Sequence, residues 1–308
     1  MRVLVTGATG FVGSAVVRRL RAADHDVIGL VRDPARASAV AATGAILRQG
    51  DMREPATYVP VVHEVDAVVH AAMLAVPGRL NRRRADELFD ADAVMTRALA
   101  DACAEHGRRL VYTGGCFDWG DHGEEWIDES TPLTPSPLGV GHARMAAELE
   151  RRHRDDGLDV VRLSPGFVYG PGGLFASAFV EQAEKGRLRC IGGGQNWWSC
   201  IHVDDLADAF VAALERARPG TAYAVVDDEP LRLRELTDLV TDAMGGKRVG
   251  TVSPRLIGLL IGGTLVASLT TSFRIRGTRI REELGWAPRR LRFRDHVAET
   301  VEAMTVRS

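Results

Sequence analysis

Lysine is almost missing from this 308-residue chain: Lys185 and Lys247 are the only two, so 37 of its 39 basic residues are arginine. Against 41 acidic residues this leaves a formal charge of −2, which gives no electrostatic case for binding nucleic acid or an anionic membrane. The four cysteines, Cys103, Cys116, Cys190 and Cys200, form no C-x-x-C pair and share no metal-ligand spacing. No metal centre or disulfide framework is therefore expected, and the thiols read as free in a reducing cytoplasm. No secretory leader fits, because strand-like sequence begins at Arg2. The most membrane-like run, residues 256–271, is shorter than the ~20 apolar residues a span needs. It also carries three glycines and four hydroxyl residues, and reads as a buried helix near a substrate site. Tyrosine is scarce as well, and none lies between Tyr112 and Tyr169.

What is present alternates. Short Val/Leu/Ile runs over 2–7, 26–32, 45–51, 65–72, 109–114 and 158–166 read as six buried strands. Between them, helical spacing appears over 11–23, 34–44, 84–106 and 142–156. Repeated β-α-β units predict an α/β Rossmann fold, a doubly wound parallel sheet. Past Gly170 come glycine-rich loops, a helix over 203–217 and a strand over 222–227 that returns to the sheet. This pattern predicts a dinucleotide-binding core over 1–170, with 200–227 returning to it. A smaller, interleaved C-terminal substrate lobe and lid would occupy 171–199 and 228–308.

The first strand runs into "TGATGFVG", which spaces Gly7, Gly10 and Gly13 as G-x-x-G-x-x-G and opens a helix. In that setting one glycine makes the tight turn, one lets the backbone approach a pyrophosphate, and one lets helix and strand pack closely. The helix N-terminus offers free N–H groups to the phosphates. An NAD site places an acid about 20 residues beyond the glycines to bond the ribose 2′-hydroxyl. Here Val31 is apolar and Arg32 follows, which suits a 2′-phosphate and points to NADP(H). Asp33, one residue on, is a competing acid.

Further motifs resemble the extended short-chain dehydrogenase/reductases, the group of nucleotide-sugar epimerases, dehydratases and related reductases, over nearly the whole chain. The resemblance implies that Thr9, Phe11 and Val12 join the three glycines at the cofactor. It implies that "GDMRE" sets Asp51 and Met52 at the adenine. It implies that "VVHAAM" brings Ala71, Ala72 and Met73 beside the nicotinamide half, and that "RLSPGFVYGPG" does the same for Pro165, Gly166, Phe167 and Val168. His202, Asp204 and Asp205 fall at a strand-helix junction and helix cap.

The family reduces ketones with a Ser/Thr and a Tyr on the substrate oxygen and a Lys four residues after the Tyr. This chain departs from that pattern: the three places hold Gly115, Val140 and Arg144, so the catalytic residues are unknown. Arg144 could bond the ribose but is a poor proton relay. His142, two residues from Val140 and Arg144, is expected at the surface or rim. Cys116, Phe117, Trp119, Val140, Trp197 and Trp198, with Met73, are candidates to line an apolar, aromatic-walled substrate pocket. Together these features resemble the triad-lacking ketoreductases of aromatic polyketide tailoring, of the angucyclinone (simocyclinone) type. That implies a cytoplasmic monomer or homodimer, an NADPH-dependent oxidoreductase of antibiotic biosynthesis acting on a small-molecule aromatic ketone, with the proton supplied by substrate or water. The loss of the acid removes ~10²–10⁴-fold in rate, less than the ~7–11 kcal/mol that positioning supplies. Two alternatives share the cofactor site: a non-catalytic NADP(H) sensor or scaffold, and a non-redox isomerase or lyase.

Overall fold

In the computed structural model, which describes residues 1–74 and 79–305, the apolar runs form a seven-stranded sheet. Its strands are β1 (Arg2–Thr6), β2 (Asp26–Val31), β3 (Ile46–Gln49), β4 (Ala67–His70), β5 (Arg109–Thr113), β6 (Val160–Pro165) and β7 (Ala222–Val225). All neighbours are parallel, in the order β7-β6-β5-β4-β1-β2-β3. The helices that position the site are α1 (Phe11–Ala22), α2 (Arg82–His106), α3 (Val140–Asp156) and α4 (Val203–Arg216). The expected doubly wound Rossmann sheet is what forms.

Alternation along each strand sends side chains to opposite faces. Val3, Val5, Val69 and Val111 pack with α1 and α4, while Leu4, Val68, Leu110 and Tyr112 pack with α2 and α3. Both faces are dry, which is why the strands read as continuous apolar runs. The edge strand β3 is the exception, with Ile46 exposed on one side. A third cluster, built on Trp198, Phe167, Phe175, Phe179, Phe273 and Phe293, fills the C-terminal side. It is knitted by short pairings: Phe167–Tyr169 beside Cys200–His202, and Trp197–Trp198 beside Leu231–Arg232.

Two segments differ from expectation. Residues 34–44 form only a 3-10 turn, Pro34–Arg36, and a four-residue helix, Ser38–Ala41. Gly44, at φ +82°, closes a stretch too short to propagate a helix. Residues 256–271 are not one buried helix. Pro254–Ile261 and Gly263–Leu269 are separated at Gly262, whose φ of +106° and approach to the Leu80 carbonyl leave no room for a side chain. On the first of these helices Leu256, Leu259 and Leu260 are exposed. No described helix is long and apolar enough to cross a membrane.

The start of α4 depends on a neutral histidine. His202 Nδ1 accepts the Asp204 N–H at 3.2 Å, capping the helix, while Asp205 accepts the N–H groups of Arg289 and Arg290. These are the structural roles expected for this junction. Burial, and then the charge of Arg290, push the imidazole down to about 4 from 6.5. Between those values the unfolded chain takes up a proton that the folded chain refuses. Stability is therefore full above the unfolded value and is lost as pH falls from 6.5 towards about 4. His202→Asn keeps a capping acceptor. It should flatten this part of the Tm-against-pH curve measured by calorimetry, whereas the unsubstituted protein loses several degrees.

Candidate active site

The carboxyl ends of β1, β4, β5 and β6 converge on one crevice, and glycines set how close their loops come. Gly7, at φ +67°, turns the chain out of β1; a Cβ there would lie 2.7 Å from the Ala71 carbonyl and the Ala72 Cα. A Cβ on Gly13 would lie 2.1 Å from the Gly7 carbonyl, so α1 rests directly on the turn. Gly10 is exposed at the N-cap of α1, where no side chain caps the helix and the first turn holds no acid. The N-terminal amides are thus left for an anionic ligand, and the cradle fits a dinucleotide pyrophosphate. Thr9 is exposed beside it, and Val12 is half-buried. The Phe11 ring lies over the Gly170–Gly173 loop, where side chains on Gly172 or Gly173 would collide with it.

At the end of β2 the Arg32 side chain is exposed, with no hydrogen bond or ion pair among the described residues, and only its carbonyl accepts, from Gln49. Asp33 Oδ1 is engaged by the Ala35 N–H at 3.0 Å, capping the 3-10 turn. Asp51 ties its own loop by accepting from the Arg53 N–H, and Met52 is buried beneath it. Ala71 and Ala72 are fixed by their N–H groups donating to Thr6 Oγ1, both at 3.2 Å. Met73 projects with 67% exposure. Pro165 ends β6, and Gly166 lets the chain pass the Ser199 carbonyl, where a Cβ would lie 2.4 Å away. Phe167 packs on Trp198 with ring centroids 4.7 Å apart, and Val168 is half-buried.

Val140 and Arg144 share the exposed face of α3, and Arg144 reaches Asp90 at 3.9 Å. Gly115 presents only backbone. Several pocket expectations are corrected. Cys116 is buried, which raises its thiol well above the usual range, and it joins the core instead of lining an open wall. Trp119 and Trp198 are buried too, Trp198 completely and stacked on Phe273. Trp197 is held by Glu124 through its indole N–H at 2.8 Å, with Arg232 and Arg274 over its ring. Phe117 is half-buried, edge-on to Phe273.

Of the titratable groups that do converge, His142 was singled out from sequence and placed at the surface or rim, while Asp118, Tyr112 and Asp92 were missed. His142 turns away from Arg144, as the two-residue spacing requires, but it turns inward: a Cβ on Gly115 would lie 3.5 Å from its Nδ1. Asp118, from the turn Cys116–Asp118, faces that nitrogen at 3.8 Å and accepts the Gly115 N–H at 3.1 Å. Burial pushes its carboxyl up to about 6, against the opposing pull of His142 and the Gly115 amide. Beyond it, Tyr112 lies edge-on to His142 and donates to Asp92 at 3.0 Å. The other Asp92 oxygen faces His70 Nε2 at 3.5 Å, and His70 Nδ1 meets Thr6 Oγ1 at 2.8 Å. Burial raises Asp92, but His70 and Tyr112 outweigh it and hold the carboxyl below its ordinary value. The one signal in the sequence was an acid inside the otherwise small and aromatic "GGCFDWG". No group of His, Cys, Asp and Glu able to hold a metal occurs among the described residues.

Comparison with known proteins agrees with this geometry. The model of the NAD dependent epimerase/dehydratase family matches residues 3–226. A 3-diazoavenalumate denitrifying reductase from Streptomyces sp is 33% identical over 310 residues, 96% of this chain and 98% of that protein. A 2-alkyl-3-oxoalkanoate reductase from Stenotrophomonas maltophilia is 31% identical, covering 81% of this chain and 77% of its own. The structure of the dTDP-glucose 4,6-dehydratase DesIV from Streptomyces venezuelae, with NAD and TYD bound, superposes with a TM-score of 0.83. It is 27% identical and covers 98% of this chain and 96% of its own.

Alanine normally favours a helix over glycine by ~1 kcal/mol. At Gly13 the sign should reverse, because the added methyl meets the Gly7 carbonyl. Gly13→Ala is expected to cost roughly 1–3 kcal/mol in urea unfolding and to abolish dinucleotide binding in a fluorescence titration.

Proposed function

The chain belongs to the NAD-dependent epimerase/dehydratase family and is an oxidoreductase, and from that premise we propose that it is an NADPH-dependent ketoreductase for a planar, largely apolar ketone of the aromatic polyketide class. In this reading it serves antibiotic biosynthesis, and residues 171–199 and 228–308 supply the substrate side. The carrying observation is the pair of exposed apolar side chains, Val140 and Met73, at walls where the family brings substrate and nicotinamide together. A sugar nucleotide would leave its hydroxyls unpaired against them. The bound cofactor supplies a hydride; the chain holds its pyrophosphate on the Gly7–Gly13 turn and orients the ketone between Ala71–Met73 and Val140. A ketone-reducing relative supports the reaction class.

The choice of NADPH over NADH rests on Arg32, free and exposed, beside an Asp33 already committed to its cap. A charge-assisted hydrogen bond contributes about 1.5–3 kcal/mol. Arg32→Ala should therefore weaken NADPH binding ~10- to 100-fold and leave NADH nearly unchanged, as read by isothermal titration calorimetry.

A second reading is favoured by the Streptomyces relative, whose name is that of a denitrifying reductase of a diazo compound. Hydride delivered to an arenediazonium, with loss of dinitrogen, takes two electrons and no net proton. A site without a tyrosine acid suits that reaction. Incubation with NADPH and 1-tetralone, 8-hydroxy-1-tetralone, ethyl 2-methylacetoacetate or an ortho-diazophenol separates the readings. Cofactor oxidation with a tetralone supports the aromatic ketone, and preference for the acetoacetate argues for an acyclic oxo acid. Dinitrogen release from the diazophenol alone supports denitrification, and oxidation with none of the four contradicts both readings.

A further inference from the structure

We propose that His142, positioned by Asp118, gives the substrate carbonyl the proton that a tyrosine would otherwise supply. The proposal rests on the ketone reading above and names the source of the proton that the sequence left to substrate or water.

Space is the first argument. Gly115 stands where the family's serine touches the substrate oxygen, and a side chain there would have His142 Nδ1 and Asp118 Oδ1 as its nearest neighbours, at 3.5 and 4.0 Å. The imidazole therefore borders the room the missing serine leaves. It reaches that room from the face of α3 turned away from Val140, because two residues along a helix turn a side chain by about 200°.

Orientation is the second. Asp118 is buried, and only one of its oxygens is satisfied, by the Gly115 N–H. The other, Oδ1, has no hydrogen-bond partner and faces His142. A buried carboxylate oxygen left unpaired is costly, and the His142 ring nitrogen that faces it can carry a proton towards it. The remaining charged and titratable groups around the pair are Tyr112 from β5, Asp92 from α2, Arg162 from β6 and the buried Cys116 thiol. The His142 side chain keeps 23% exposure, so one edge remains open to water.

The step balances. The carbonyl carbon receives the hydride of the dihydronicotinamide, and the C=O π pair moves onto oxygen. The imidazolium N–H bond breaks towards that oxygen, leaving an alcohol and a neutral imidazole. Water reprotonates the ring at its open edge. The nicotinamide is oxidised by two electrons and the ketone reduced by two.

Steady-state turnover of 1-tetralone by the full-length protein with NADPH, across pH, tests this. Loss of a general acid is worth ~10²–10⁴-fold. His142→Gln and His142→Ala should each lower kcat ~100-fold or more with NADPH affinity unchanged. The fall in kcat as pH rises through the His142 titration should vanish in both. Asp118→Asn, which acts through His142, should move that titration to lower pH in a ¹H–¹⁵N spectrum of the protein without substrate. Unchanged kcat and pH profile in both His142 variants would overturn the proposal, as would an unmoved His142 resonance in Asp118→Asn. Wild-type turnover of 8-hydroxy-1-tetralone but not 1-tetralone would put the proton on the substrate and overturn it too. A wild-type protein inert towards every ketone removes the ketone reading, and the proposal with it, before any variant is made.

Discussion

Three backbone segments meet without side chains between them, and the crevice depends on that contact. The Gly7 turn leaves β1 against the Ala71–Ala72 segment that leaves β4, and α1 sits on the Gly7 carbonyl through Gly13. Thr6 Oγ1 pins the same junction by accepting two amides from the neighbouring loop. The consequence is geometric. The amide end of α1 is aimed into the crevice, and the β4 loop is held at a fixed distance from it. A methyl group at either glycine would spread the loops while most of the sheet survived.

The glycine turn was legible in the sequence because it is local, whereas its contact with Ala71–Ala72 joins distant parts of the chain. The spacing of Gly7, Gly10 and Gly13 between a Val/Leu run and a helical pattern carries its own context. The sheet was legible for a similar reason: strands buried on both faces cannot alternate, so Val3–Val5, Val68–Val69 and Val160–Val161 announce themselves. The segments that escaped were set by long-range contacts. Gly262 breaks a seemingly continuous apolar run because Leu80, far away in sequence, crosses it. Trp198 looks like a pocket wall beside its glycines, yet its place is decided by Phe167, Phe179 and Phe273 from three other segments.

The site divides along the same line. The glycine turn and the strand-end loops sit on local motifs and could be numbered in advance. The cluster of titratable groups could not, because its members come from four separate elements. His142 was expected at the rim, since helical spacing from Arg144 gives its angle around α3 but not what lies on that side. Only the fold brings Asp118, Tyr112 and Asp92 there. The result is a cluster in which an imidazole and a buried carboxyl lie beside Gly115, with the apolar Val140 exposed on the other face of α3.

The most direct measurement of the central claim is label transfer. NADPH carrying deuterium at C4, supplied separately in each stereochemical form, is incubated with the protein and 1-tetralone, and the carbinol carbon of the product is read by mass spectrometry and NMR. The account predicts deuterium on that carbon from one of the two forms. Product free of label from both, or a tightly held cofactor that never parts with its deuterium, would contradict it.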